Sequence, residues 1–266
     1  MSDLNLKKLN KVWGKWEVTE NEILAHSVGD LRLWCYQDKS ELRIAFDHQA
    51  SKNGSEVPEN ITWHRWSYKS QKPLLHLKPV FPDRPVVVEP EAAFRVAEDA
   101  QVKIYVRVPV WLNIVLEGNI STSLMEIPTV ILSNTWFGTF TEGDLCYWIS
   151  SGARREIEPD PSRPYLAICP LLLIDNSPQD LDVQKICLRV ANLSLFIHED
   201  QLWADQTKIT FKGETEVDQV EVTGKAPEEA RGAKLIAKPR DVIKKAFTAR
   251  TFSTLRDLTG LGVLSR

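Results

Sequence analysis

Residues Thr135–Glu156 read TWFGTFTEGDLCYWISSGARRE and hold two tryptophans, a Phe-Gly pair, a Cys-Tyr-Trp run and two adjacent arginines. Large aromatic side chains beside isolated charges are typical of a buried β corner or of a recognition surface. Which of the two applies decides whether the stretch is a functional site. Taken residue by residue, it favours a β corner that is anchored by tryptophan and ends in an exposed arginine pair.

Alternating polar and apolar residues extend the β pattern over most of the chain. Glu41–Phe46 (ELRIAF) and Val102–Val108 (VKIYVRV) place apolar side chains at every second position, as in strands with one buried face. Pro109 follows the second run and Val110–Leu116 resumes as a strand, so we expect a bend or a change of sheet there. Frequent Pro and Gly at short intervals complete the pattern of a β-sandwich protein.

A faint internal repeat indicates two units of similar design. An Arg-Pro pair, a further proline and an alternating strand occur in Arg84–Val108 and again in Arg163–Val190. The stretch EPDPSRP, beginning at Glu158, is a natural exposed connection between them. The sequence thus predicts a mainly β protein with two β-sandwich-like units packed together. The predicted divisions are residues 1–158 and 159–224 for the two units, and 225–266 for a linker and a C-terminal basic amphipathic helix.

The helix is predicted because the apolar spacing changes after Pro239 from two residues to about four. Residues 234–266 carry eight basic and two acidic side chains, although the net charge of the whole chain is −3. Such a tail can dock on its own body, contact an acidic partner or bind an anionic membrane surface. The contact residues expected on it are Phe247, Phe252, Leu255, Lys244 and Lys245.

Composition and motifs narrow the functional classes. The chain is 43% hydrophobic and 26% charged, as in an ordinary globular protein, and no apolar run has the length of a signal peptide or a membrane span. We therefore expect a cytoplasmic protein. No nucleotide-binding or hydrolase motif occurs, which favours a protein without enzymatic activity. An acidic body with a single basic cluster argues against nucleic-acid binding.

Cysteine and histidine spacing gives no indication of a metal or a cofactor. The four cysteines lack CxxC spacing and are expected to be buried, reduced thiols, and the five histidines fall in separate segments. No metal and no cofactor are therefore predicted. The cysteines concerned are Cys35, Cys146, Cys169 and Cys187.

Two sets of residues are candidates for a binding site. In the first, aromatic anchors would bury apolar area, while paired guanidinium groups would hold an anion or simply protect a strand edge. In the second, a pocket would bind a sugar or an anion, and its two carboxylates could act in glycoside hydrolysis. A turn at Gly143 and an ordinary strand position for the histidine are the simpler alternatives. The first set is Trp136, Phe137, Arg154 and Arg155, and the second is Trp63, His64, Arg65, Glu142 and Asp144.

Several strings carry a resemblance to a known family. They are RPVVVEP from Arg84, VRVPVW from Val106 and, most specifically, SNTWFG from Ser133 followed by EGDLCY from Glu142. These strings resemble an uncharacterised prokaryotic family, domain of unknown function number four hundred and thirty-two. The likeness continues to Trp203 and so covers most of the body. It implies an all-β fold, without catalytic residues that could be transferred.

The resemblance also implies a class of partner. Some members of the family are associated with mechanosensitive channels of the small-conductance type. By analogy, the chain would be a cytoplasmic β module that contacts a channel's cytoplasmic domain or the inner membrane surface. The first hypothesis is therefore a non-enzymatic interaction or regulatory module with the C-terminal helix as its partner contact. A small-ligand binding protein or hydrolase is the alternative, and homo-oligomerisation is compatible with the first hypothesis.

Overall fold

The computed structural model describes residues 5–8, 11–20, 22–48, 56–68, 73–139, 141–157, 160–213, 218–241 and 246–253. Strands dominate these residues, which confirms the predicted mainly β fold. The helical elements among them are two short 3-10 turns, Val190–Asn192 and Glu228–Ala230.

The chain forms two compact units that interleave along the sequence. Unit 1 comprises Met1–Val80, Pro109–Ile131 and Arg163–Tyr165, and unit 2 comprises Phe81–Val108, Leu132–Ser162 and Leu166–Arg266. This division differs from the contiguous boundaries at 158 and 224 expected from the sequence. The positions of prolines along the sequence cannot reveal this division, because strands that are far apart in sequence pair within each unit.

Unit 1 contains two sheets, with strands numbered in chain order. Sheet A has the order β1-β3-β4-β5-β6 and sheet B the order β12-β11-β7-β2. In sheet A, the strands are β1 (Asn5–Lys8), β3 (Glu22–Val28), β4 (Leu31–Asp38), β5 (Glu41–Asp47) and β6 (His64–Ser67). In sheet B, they are β2 (Gly14–Glu17), β7 (Leu74–Val80), β11 (Trp111–Glu117) and β12 (Thr122–Pro128).

The two sheets of unit 1 enclose one hydrophobic core. Leu33 and Ile44 from sheet A and Leu75 and Leu112 from sheet B belong to the same buried cluster. Because side chains alternate along a strand, one face of each sheet supplies this cluster, and unit 1 is a β-sandwich. The opposite face of sheet A buries Trp34 in a separate small cluster.

Unit 2 contains a five-stranded sheet C, an eight-stranded sheet D and a two-stranded ribbon of β9 and β16. Sheet C has the order β13-β14-β8-β17-β24, with β8 (Val86–Pro90), β13 (Ser133–Gly138), β14 (Gly143–Ser151), β17 (Lys185–Leu188) and β24 (Phe252–Ser253). Sheet D has the order β22-β18-β19-β15-β20-β21-β23, and β10 also pairs with β15. Its strands are β10 (Gln101–Pro109), β15 (Leu166–Asp175), β18 (Leu195–His198), β19 (Gln201–Ala204), β20 (Thr207–Phe211), β21 (Asp218–Val222), β22 (Lys234–Ala237) and β23 (Ala246–Ala249), and the ribbon strands are β9 (Phe94–Val96) and β16 (Leu181–Val183).

Sheets C and D of unit 2 meet through buried side chains. The rings of Phe211 in sheet D and Phe252 in sheet C pack edge to face, with centroids 5.8 Å apart. On the same face of sheet C, Val86 and Val88 are completely buried. This face is called the core face of sheet C below. The change of sheet expected at Pro109 is confirmed, because β10 belongs to sheet D and β11 to sheet B.

The predicted C-terminal helix is not seen in the described residues. Phe247 lies in β23, which pairs with β21, and Phe252 lies in β24, which pairs with β17. Thr248 and Thr251 lower the helical propensity here, and the sheet edges offer the backbone its hydrogen bonds instead. Three other residues predicted for the helix, Lys244, Lys245 and Leu255, lie outside the described residues.

The predicted linker is also a packed segment. Ala230 is completely buried, and the preceding Glu229 accepts a 2.6 Å hydrogen bond from the Tyr105 hydroxyl. Residues 225–232 therefore contribute to the structure of unit 2, and the polar composition that predicted a linker reflects their half-exposed position.

Candidate interaction surface

The hairpin of β13 and β14 exposes two large apolar side chains side by side. Trp136 and Leu145 are directly opposite each other in the antiparallel ladder, and they are 52% and 48% exposed. Three other large hydrophobic side chains of the described residues are similarly exposed, but they lie on separate elements. An exposed tryptophan with an apolar neighbour is the composition typical of an interaction hot spot.

A loop hydrogen bond and the close approach of Gly143 hold the Trp136 ring in place. Its Nε1 donates a 2.8 Å hydrogen bond to the backbone oxygen of Thr139 in the connecting loop. The indole lies over Gly143, where a Cβ would come within 2.8 Å of two ring atoms. Gly138 has a φ of +130°, which a larger residue would adopt only with strain. The ring is therefore exposed and yet fixed, so that little side-chain entropy is lost on binding.

An aromatic side chain and an arginine continue this face across the sheet. Tyr147 follows Leu145 by two residues on the same face of β14, and the Arg84 guanidinium lies 5.6 Å from the centre of the Tyr147 ring. The Tyr147 hydroxyl donates a 3.0 Å hydrogen bond to Asp83. Burial and this hydrogen bond raise the pKa of Tyr147, so the hydroxyl stays protonated at neutral pH. We call Trp136, Leu145, Tyr147 and Arg84 the hairpin surface.

The hairpin surface is an uncovered extension of the core face of sheet C. Tyr147 pairs with Val86, and Val86 is completely buried on that face. Within one sheet, therefore, the same face passes from buried valines to an exposed tryptophan and leucine. Apolar side chains at such a position cost solvation free energy unless another molecule covers them.

Phe137, predicted as a contact residue beside Trp136, is instead a core residue. It is 5% exposed on the opposite face of β13, where it packs with Cys146 and Cys187. Because successive side chains of a strand point to opposite faces, Trp136 and Phe137 cannot share one contact surface. Of this predicted pair, only Trp136 is available to a partner.

All four cysteines are free and buried, as the sequence predicts. The Cys187 thiol donates a hydrogen bond to the neighbouring Cys146 sulfur, and this bond and burial both raise the pKa of Cys187, so this thiol is protonated and a poor nucleophile. Burial likewise raises the pKa of Cys35 to about 12. In the described residues, no group of three or more His, Cys, Asp or Glu is placed to hold a metal ion.

The predicted arginine pair lies away from the Trp136 ladder position. Arg154 forms a short antiparallel bridge with Tyr105, through backbone hydrogen bonds of 2.8 and 3.0 Å. Both Arg154 and Arg155 are exposed. The bridge attaches this segment to β10 of sheet D, whereas the hairpin surface belongs to sheet C.

Of the two carboxylates of the alternative pocket, one lies in a loop and the other in an ion pair. Glu142 lies in the loop that connects β13 to β14, where its backbone N–H donates to the Thr139 hydroxyl at 3.0 Å. Asp144 pairs with Arg189 at 2.8 Å on the face opposite Trp136. Glu142 is therefore a loop residue, and Asp144 is the acidic partner of an ion pair.

The other half of the alternative pocket belongs to unit 1. Trp63 packs edge to face against Tyr36, with centroids 4.8 Å apart, and His64 stacks on Phe46 at 5.7 Å. As the alternation predicts, Trp63 and His64 are on opposite faces of the strand, and Arg65 is exposed. Both rings are thus engaged by neighbouring side chains of unit 1, while Glu142 and Asp144 belong to unit 2.

One polar cluster of unit 1 was not anticipated from the sequence. Glu117 accepts from His76 Nδ1 at 2.9 Å and from the Ser121 hydroxyl at 3.0 Å, and Lys15 lies 3.3 Å away. The hydrogen bonds from His76 and Ser121 lower the pKa of Glu117 to about 2. A carboxylate with such a pKa is a weak general base, so the cluster serves mainly to tie β2, β7, β11 and the loop after β11 together.

Three residues of the hairpin surface were not singled out from the sequence. Leu145 and Tyr147 stand in the stretch that opened the sequence analysis, and strand alternation with Trp136 could have grouped them with it. Arg84 could not be found in this way, because it reaches Tyr147 only through the parallel pairing of β8 with β14.

Comparison with known proteins places the chain in a family without adding an activity. The chain matches the family described as "Protein of unknown function (DUF432)" over residues 12–256, which confirms the resemblance seen in the sequence. No curated protein and no solved structure matches it. In the described part of the chain, no helix is long and apolar enough to cross a membrane.

Proposed function

The chain belongs to the DUF432 family, and we propose that it is a non-enzymatic β-sandwich interaction module that binds a protein partner through the hairpin surface. The observation that carries the proposal is Trp136, which is half exposed and fixed by a hydrogen bond on a two-glycine hairpin. Tryptophan, tyrosine and arginine are the residues that most often dominate binding energy at interfaces, and three of the four residues of the hairpin surface are of these types.

This contact surface lies on the hairpin of β13 and β14, whereas the sequence predicted one at the C-terminus. Phe252 is 4% exposed in β24, and Phe247 is half buried in β23, so neither presents a free apolar stripe. Because residues 233–266 contain β22, β23 and β24, their deletion removes three strands of unit 2. A point substitution of Trp136 is therefore a sharper test than a truncation.

We also propose that the protein acts at the cytoplasmic side of a membrane. The cytoplasmic domain of a small-conductance mechanosensitive channel, which the resemblance implies as partner, is the first candidate to test. The carboxylates of the alternative pocket give no support to a hydrolase, because Asp144 is paired with Arg189 and Glu142 lies in the hairpin loop.

The test compares proteins that co-purify with three forms of the full chain. The forms are the wild type, Trp136→Ala and the matched control Ile120→Ala, which removes a side chain that is 86% exposed in unit 1. Quantitative mass spectrometry should find at least one protein that is retained by the wild type and by Ile120→Ala but lost from Trp136→Ala. If the three forms retain the same proteins, the hairpin surface is not the contact.

A further inference from the structure

We infer that the hairpin surface recognises an extended acidic segment of another protein, with an apolar side chain on Trp136 and Leu145 and a carboxylate beside Arg84. This inference rests on the proposed function and adds the chemistry of the partner. It follows from the distribution of charge along the surface and from the distances between its residues.

Opposite ends of the hairpin surface carry opposite charges. At the loop end, Glu142 is exposed next to the position of Trp136. At the other end, Arg84 lies over Tyr147, and Arg240 is close enough to act on the Tyr147 hydroxyl electrostatically, so two guanidinium groups outweigh the one carboxylate there, Asp83. A partner carboxylate is therefore repelled at the loop end and attracted at the arginine end, which fixes the direction in which a segment can lie.

The arginine end is available to a carboxylate. Arg84 is held by the face of the Tyr147 ring, and in the described residues no carboxylate is paired with its guanidinium. The nearest acid in the sequence, Asp83, accepts the hydroxyl hydrogen bond of Tyr147. The guanidinium is planar, and its N–H groups can bind a carboxylate in bidentate fashion while the group lies over an aromatic ring.

The spacing of the two ends selects the length of the segment. Leu145 and Tyr147 are two residues apart on one strand, a separation of about 7 Å. The guanidinium of Arg84 lies 5.6 Å from the ring of Tyr147. The distance from the apolar contact to the carboxylate is thus roughly 7–12 Å, which an extended chain spans in about two to four residues.

A short segment fits this surface better than a second copy of the chain. Two half-exposed apolar side chains and one arginine offer much less than the roughly 1,000 Å² of total buried surface that a stable protein dimer needs. A peptide segment with one apolar anchor and one acidic group would bury the exposed parts of Trp136 and Leu145 and pair the charge of Arg84.

The experiment selects phage-displayed random dodecapeptides on the full-length protein, with counter-selection on Trp136→Ala. Enriched peptides should carry an acidic residue about two to four positions from an aromatic or aliphatic one. Their affinities are then measured by fluorescence anisotropy. Arg84→Ala should weaken binding about tenfold at low salt, with a smaller effect at high salt. The matched control Arg155→Ala, which removes the same charge from an exposed loop of unit 2, should change affinity less than twofold.

Each contrary outcome has a distinct meaning. Peptides that depend on Trp136 but lack an acidic residue, or that bind Arg84→Ala normally, overturn the inferred chemistry and leave the proposed function intact. If no enriched peptide depends on Trp136, the inference and the proposed function fail together. Sedimentation that reveals a dimer lost in Trp136→Ala assigns the surface to a second copy. Arg84-dependent binding to phosphatidylserine vesicles assigns it to a membrane, and either result overturns the inference.

Discussion

Lowering the pH from about 7.5 to about 5 should destabilise the protein through His26, which is 5% exposed in the sandwich core of unit 1. The ring lies beside Trp16, with centroids 5.9 Å apart, and lines a cavity of about 10 Å³ with Leu33 and Cys35. Its Nε2 has no hydrogen-bond partner within the described part of the chain. A charged imidazole would be poorly solvated there.

The magnitude follows from the pKa of His26. Burial lowers this pKa from 6.5 to about 4, against the effect of a backbone hydrogen bond to Val12. The unfolded chain binds the proton near pH 6.5 and the folded chain only near pH 4, so the free energy of unfolding falls as the pH drops between these values. One pKa unit corresponds to about 1.4 kcal/mol, which gives a total loss of about 3 kcal/mol and a loss of about 2 kcal/mol by pH 5.

Urea unfolding of the wild type and of His26→Leu, followed by tryptophan fluorescence at both pH values, isolates this effect. Asp205 and Asp218 act in the opposite direction, because burial raises the pKa of each to about 6 and the folded state gains stability as they are protonated. Both remain in the variant, so their contribution cancels in the difference between the two proteins. Acidification should shift this difference by about 2 kcal/mol in favour of His26→Leu.

A matched variant controls for the loss of packing. Leu33→Val alters the same cavity without a titrating group and should cost about 1 kcal/mol at both pH values. If the stability difference between the wild type and His26→Leu is the same at both pH values, the reasoning about the buried imidazole is refuted.

Three further predictions concern unit 2. Gly143→Ala should strain the hairpin and displace the Trp136 indole, since the new Cβ would lie 2.6 Å from the Phe137 backbone oxygen and 2.8 Å from two ring atoms; the tryptophan emission spectrum should change while circular dichroism still shows a folded protein, and an unchanged emission spectrum would contradict this. Tyr105→Phe should lower the free energy of unfolding by about 1.5 kcal/mol in urea titrations, because it removes a 2.6 Å hydrogen bond to Glu229, and an unchanged midpoint would contradict this. Truncation after Gly232 should abolish cooperative unfolding of unit 2 in calorimetry, because β22, β23 and β24 are lost; a normal second transition would show that these strands are dispensable.

Strand alternation made much of the fold predictable. The period of two in Val102–Val108 correctly assigned Ile104, Val106 and Val108 to one buried face, and Pro109 correctly marked a change of sheet. These features depend on neighbouring residues alone. The division into units depends on strands that pair over long sequence distances, and no local pattern records such pairing.

The candidate site was predicted only in part for a similar reason. Alternation states that Trp136 and Phe137 face opposite sides, but not which side another sheet covers. The C-terminal segment was mispredicted because the spacing of Phe247 and Phe252 is compatible with a helix. In the structure these residues lie in strands that pair with the edges of β21 and β17. Arg84 enters the site only through the register of β8 and β14.

Trp136 is proposed as the main contact of this protein with a partner, and its contribution to affinity is the decisive quantity to measure. For a partner identified by co-purification, isothermal titration calorimetry should compare the wild type, Trp136→Ala and Ile120→Ala, each verified as folded. We expect Trp136→Ala to weaken binding by at least about 30-fold, the effect of roughly 2 kcal/mol expected of a hot-spot tryptophan, and Ile120→Ala to have little effect. Equal affinities for all three proteins would contradict it.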